Sequence, residues 1–177
     1  MTATRRPERP AEHALLGLLA LEPSHAAHGY DLARHFADGQ PLGEVFRLES
    51  GMLYHHLKKL AAAGWVVSST EAQSSRPARR VFRLTTNGRA ELDRWLQEPV
   101  SHTREIRLEF LVKLYFAQLL APDRVSNLIA EQTEVLRRLA ANLETQLAAA
   151  TDPFHLRVLA LRRDQTDAAL QWLSDLS

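Results

Sequence analysis

Apolar positions recur at helical spacing through the first third of the chain. "EHALLGLLALE" is apolar at Ala14, Leu15, Leu18, Leu19 and Leu21, which predicts an amphipathic first helix stopped by Pro23. "HGYDLARHFADG" repeats the pattern through Tyr30, Leu32, Ala33 and Phe36 and predicts a second helix ending at Gly39. After a short connection containing Pro and Gly, "LESGMLYHHLKKLAAAGW" places Leu53, Leu57 and Leu60 at i, i+4 and i+7. Ser50 is the expected N-cap of this third helix and Gly64 its stop.

The period then changes. "WVVSST" is rich in β-branched residues, "EAQSSRPA" is a turn-rich connection, and "RRVFRLT" alternates Phe82 and Leu84 against Val81 and Arg83. This predicts a two-stranded hairpin with a long basic loop. Thr85 is placed to cap a fourth helix, "TNGRAELDRWLQE", in which Leu92, Trp95 and Leu96 share a face and which ends at Pro99.

From Arg104 onward the pattern is helical only. "REIRLEFLVKLYFAQLL" is closed by Pro122, a second segment runs from Asp123 to near Ala150, and Asp152 with Pro153 opens a third as N-cap and first helical residue. Phe154, Val158, Leu161, Ala168 and Trp172 fall at alternating four- and three-residue steps, close to a coiled-coil seam. The stripe either packs within its own subunit or, as is usual for helices this long and this apolar in so small a domain, is covered by another subunit. The expected fold is mainly α: a tail over 1–11, a winged helix-turn-helix with a two-stranded β wing over 12–98, and an all-α antiparallel helical dimerisation and effector domain over 99–177.

Composition narrows the chemistry. A chain of 177 residues, 45% hydrophobic and 24% charged, suits two small domains in water. The absence of cysteine excludes disulfides, thiolate nucleophiles and zinc–thiolate sites, and it fits a reducing compartment. "MTATRRPERP" lacks the apolar core of a secretory signal and no run of apolar residues is long enough to span a bilayer, so a cytoplasmic location is expected. The net charge of +1 conceals a local excess. Arg47, Lys58, Lys59, Arg76, Arg79, Arg80, Arg83, Arg89 and Arg94 stand against only Glu49, Glu71, Glu91 and Asp93. Such a patch steers anionic partners.

Three helices followed by a hairpin with a basic tip is the order of a winged helix-turn-helix, whose third helix enters the DNA major groove while the wing follows the backbone. On a wheel, Leu53, Leu57 and Leu60 occupy one sector of that helix, Gly51, His55, Lys58, Lys59 and Ala62 the opposite side, and Tyr54 and His56 the flanks. Any surface helix is polar opposite its leucines. Here, however, Lys58 and Lys59 with Arg76, Arg79 and Arg80 of the wing supply the cations that phosphate neutralisation requires. His55, Lys58 or Lys59 could donate to guanine O6 or N7, or His55 could contact only phosphate or water. Gly51 lets backbone N–H groups approach a phosphate, or is simply tolerated at the helix start.

These residues resemble the PadR-like transcriptional regulators. The resemblance rests on "ALLGLLALEPSHAAHGYDLARHF", "SGMLYHHLKKLAAAGWV" and "RRVFRLTTNGRAELDRWL", and covers residues 12 to 98. The chain beyond Pro99, with "EFLVKLYFA", is similar to the longer three-helix C-terminal domain of one branch. The resemblance implies a homodimeric DNA-binding repressor, relieved by a small effector; a symmetric dimer in turn suits a palindromic operator. It also implies that His28, Gly29 and Tyr30, with Ser50, Gly51 and Tyr54, lie near phosphates. "PSHAAHGY" is longer than the family's usual segment, so either His25 or His28 matches its histidine, and Met52 and His55 replace the usual threonine and proline. Some family members bind a planar or apolar ligand near the junction of the fourth helix and the C-terminal domain, where Trp95, Phe110, Tyr115 and Phe116 are candidates for a pocket or for plain packing.

Competing classes find less support. A metal sensor would use the eight histidines. Yet no His-x-x-x-His pair with a third carboxylate occurs, and the adjacent His55 and His56 diverge by about 100° on a helix. No Gly-rich phosphate loop, Gly-x-Ser-x-Gly elbow or His-Glu-x-x-His marks an enzyme, and no cofactor is expected. A winged helix that binds protein instead of DNA is the remaining rival.

Overall fold

The computed structural model describes residues 10–73 and 76–176, and side chains within these outside 71–79. The chain divides into two compact units between Gln97 and Glu98.

In the first unit, α1 (Pro10–Leu21) is apolar on every side, and His13 through Ala20 are all buried. A helix apolar all round must be enclosed by its neighbours. Around it lie β1 (Ala26–His28), α2 (Gly29–Arg34), α3 (Pro41–Val45), α4 (Ser50–Ala62), β2 (Val66–Gln73), β3 (Arg76–Leu84) and α5 (Thr86–Gln97). The leucine stripe Leu53, Leu57 and Leu60 of α4 is fully buried. Each such side chain contributes about 2 kcal/mol at most. Gly64, with φ +73°, ends α4 in the left-handed region that favours glycine. Thr85 caps α5: its Oγ1 accepts from Gly88 N at 3.0 Å and donates to Gly64 O at 2.8 Å, tying the ends of α4 and α5 together.

Several expectations need correction. The sheet is three-stranded, in the order β1-β3-β2 and antiparallel throughout, so the two-stranded wing hairpin shares β3 with a further strand. Ala27 faces Phe82 in that extra pairing. Without it the outer edge of β3 would leave backbone groups unpaired. The expected second helix gives up its start to β1 and stops at Arg34, and the connection after it contains α3, opened by Pro41. Glu49 holds the cap position of α4 and Ser50 is its first residue. The wing strands reach Gln73 and restart at Arg76, so most of "EAQSSRPA" is strand.

The second unit is helical. The run Thr103–Leu120 is divided by a π turn into α6 (Thr103–Glu105), the turn itself (Ile106–Phe110) and α7 (Leu111–Leu120). A 3₁₀ turn, Pro122–Arg124, leads to α8 (Val125–Ala149) and then α9 (Pro153–Asp175). The Asp152 side chain accepts from His155 N at 2.7 Å, with Pro153 at the first helical position, as expected. Leu159, Ala169 and Leu173 of α9 are buried within the unit. No described helix is long and apolar enough to cross a membrane.

The two polar residues at the start of α1 both find partners. His56 Nδ1 donates to Glu12 at 3.2 Å, and His13 Nε2 donates to Glu91 at 3.1 Å while its ring stacks on Trp95 at 4.5 Å. Burial by itself pushes the Glu91 carboxyl up. Hydrogen bonds from Arg94 and His13, reinforced by their charges, outweigh it and hold the group below the ordinary glutamate value. Because the folded value is the lower one, Glu91 contributes stability that is complete above about pH 4.3 and is lost as pH falls below that through the folded value. In urea unfolding measured from pH 6 down to pH 3, Glu91→Gln is therefore expected to start less stable and to lose less on acidification than the parent.

Candidate nucleic-acid interface

The outward face of α4 and the adjacent wing strands form one open groove of about 470 Å³. Gly51, Tyr54, His55 and Lys58 line it from the helix, and Ser68 and Arg80 from the strands. The helix presents these residues outward because its leucines are committed to the core. Gly51 has open space where a Cβ would stand, so the first turn of α4 offers backbone N–H groups to an approaching anion. Glu49 leaves those groups without a side-chain cap. Lys58 and Arg80 bring fixed positive charge to the groove, and His55 stands exposed one turn before Lys58 on the same helix.

Tyr54 joins this groove to the start of α2. Its ring lies 6.2 Å from that of Phe82, and a Cβ on Gly29 would stand 2.6 Å from its hydroxyl oxygen. A side chain at 29 would therefore displace the Tyr54 ring from this position. Tyr30 is 71% exposed on α2. His28 holds the cap position of α2 and opens on a separate polar cavity of about 310 Å³, shared with Glu22, Asp31 and Arg83. His25 sits in a turn with φ +51°. Ser50 is exposed at the head of α4, and Lys59 is half-buried, outside the groove. Arg76 and Arg79 pair through their backbones with Gln73 and Glu71, and their side chains lie outside the described residues.

The structure therefore brings Gly51, Tyr54, His55, Lys58 and Arg80 together and leaves Lys59 and His28 apart from them. His55 and His56 separate as the wheel implies. His55 faces the groove, while His56 is buried against Glu12. Glu12, His13 and Glu91 escaped the sequence reading, although a histidine inside a leucine-rich helix signals a buried partner.

Residues 15–94 match the transcriptional regulator PadR-like family, and residues 106–176 match the virulence activator alpha C-terminal family. The chain carries a PadR-like domain over residues 15–94. Its second match fits the branch with a longer C-terminal domain. The negative transcriptional regulator PadR of Bacillus subtilis is 26% identical over 181 residues, spanning 95% of this chain and 96% of that protein. A probable transcriptional regulator of Mycobacterium tuberculosis is 36% identical over 92 residues, which span 52% of this chain and 46% of that protein. The crystal structure of Bacillus subtilis PadR in complex with operator DNA superposes with a TM-score of 0.50 at 25% identity, covering 97% of this chain and 98% of that one. These PadR-like relatives are regulators of transcription, not enzymes.

The aromatic residues considered for an effector divide between the two units. Trp95 is a core residue of the first unit, fully buried with one face covered by His13. Phe110 is buried in the second unit, edge-on to Trp172 at 6.1 Å, and Tyr115 packs edge-on against Phe116 at 5.0 Å. The second unit has its own groove of about 660 Å³, with Ile106, Leu111, Ala168 and Trp172 on its walls and Arg104 and Arg107 beside them.

Proposed function

We propose that the chain is a homodimeric repressor that binds a palindromic operator in double-stranded DNA and is released from it by a small aromatic or apolar effector. The observation that carries this reading is the cationic groove between α4 and the wing, with Gly51, His55 and Lys58 on one side and Arg80 on the other. In this reading α4 enters the major groove, where His55 or Lys58 meets base edges. Tyr30, Ser50, Tyr54 and Lys59 contact flanking phosphates, and the wing with Arg76, Arg79 and Arg80 follows the neighbouring backbone. His28 and Gly29 act through the start of α2. The name of the Bacillus subtilis relative, a negative regulator, and its structure with operator DNA support repression by DNA binding. Such a protein works in the cytoplasm, beside the DNA.

The dimer reading rests on α9. Phe154 is 73% exposed and Leu161 59% exposed, on the stripe that also carries Val158, Ala168 and Trp172. Large apolar side chains left open at heptad spacing suit pairing with a second copy. A two-fold dimer sets two copies of α4 about one DNA turn, roughly 34 Å, apart. The groove of the second unit shares Ala168 and Trp172 with that stripe, so a ligand held there favours one dimer geometry over another.

Three measurements test these parts separately. Binding to a labelled random-sequence duplex should weaken steeply with salt, and Lys58→Ala or Arg80→Ala should each lower the logarithmic salt slope by about 1. An unchanged slope in both variants removes the groove from the interface. Leu161→Glu should sediment as a monomer where the parent is a dimer. On titration with phenolic and apolar compounds, tryptophan fluorescence should respond in Trp95→Phe and fail to respond in Trp172→Leu.

A further inference from the structure

Resting on the operator-binding dimer proposed above, we infer that Lys113 and Gln132 are positioning residues that set the half-site spacing, by gripping the chain where it leaves the DNA-binding unit. The last helix of that unit, α5, ends at Gln97. From the next residue onward the backbone is held by groups from α7 and α8, and a side-chain contact ties the segment to α9. Lys113 Nζ of α7 donates to Glu98 O at 2.9 Å. The Gln132 amide of α8 makes a double bond pattern with Val100, accepting from its N–H at 2.7 Å and donating to its carbonyl at 3.0 Å. Glu105 accepts from the N–H groups of Ser101 and His102 at 3.0 and 2.9 Å. The hydroxyl of Thr103 meets that of Thr166, on α9, at 2.7 Å.

Lys113, Gln132 and Thr166 are each 0% exposed, and Lys113 also pairs with the nearly buried Glu109 at 3.3 Å. A buried ion pair and a buried amide are a poor way to hold helices together, since apolar side chains of the same volume do so as well or better. They do what leucines cannot. Irregular backbone inside a core needs hydrogen-bond partners, and a satisfied polar network selects one path for the chain where apolar packing tolerates several. That path runs from the helices carrying the exposed α9 stripe directly into α5. A clamp on it transmits the two-fold arrangement of the second unit to the two copies of α4.

The test uses the full-length protein and a duplex selected for binding from a random pool, together with copies whose spacer is longer or shorter by a base pair or two. The parent should prefer the selected spacing by about tenfold or more. Gln132→Met keeps the side-chain volume and removes both bonds to Val100, while Pro99→Gly loosens the segment without touching the helices. Each should remain folded and dimeric, keep the parent's salt slope, and discriminate between spacings by less than about threefold. Folded, dimeric variants that discriminate as strongly as the parent overturn the inference. If Gln132→Met does not fold, Pro99→Gly decides. A parent that binds no duplex, or binds all spacings equally, refutes the operator-binding dimer itself and this inference with it.

Discussion

The burial of most of α1 is the constraint on which the first unit depends. Eight consecutive residues, His13 to Ala20, are buried, so sheet and helices must close around them. Apolar contact alone would let those elements slide. The adjacent Glu12 and His13 diverge around the helix and reach different neighbours, Glu12 to His56 on α4 and His13 to Glu91 on α5. Each bridge is largely shielded from water, where a broken hydrogen bond costs more than an intact one gains. The rotation of α4 follows. With His56 held inward and the leucines in the core, Gly51, Tyr54, His55 and Lys58 have only the outside left.

Sequence periodicity revealed the elements that have a face to display. The helices carrying leucine stripes, the wing hairpin and the Asp152–Pro153 helix start all follow from spacing and capping chemistry. Elements too short for a period stayed hidden. β1 has three residues, "AAH", without alternation, and exists because the free edge of β3 requires a partner. The five residues of α3 lie in a stretch whose Pro and Gly read as connection. The π turn inside Ile106–Phe110 has no counterpart in the apolar pattern, which runs through it unbroken.

The candidate site was legible for a related reason: polar residues opposite a leucine stripe have to face outward. Position on the wheel was a coarser guide for Lys59, which is half-buried beside the groove. Aromatic residues were ambiguous, because an aromatic side chain in a sequence is equally consistent with core and cavity. Trp95 is core, and the groove of the second unit is lined instead by Trp172. Least visible were Lys113 and Gln132, on helices that read as ordinary amphipathic segments. Their partners, Glu98 and Val100, are distant in sequence, and only folding joins them.

A chain with a PadR-like domain built this way divides its labour between two kinds of interaction. Apolar faces hold each unit together, and a few buried polar contacts decide how the pieces are registered. The outward groove of α4 is the part proposed to bear directly on DNA, and its recognition of a sequence is the central claim. Selection of bound duplexes from a random pool by the full-length protein, followed by sequencing, tests that claim most directly. The expected result is an enriched palindrome with half-sites about one helical turn apart. Failure to retain any duplex at low salt, or retention without enrichment of any sequence, would contradict it.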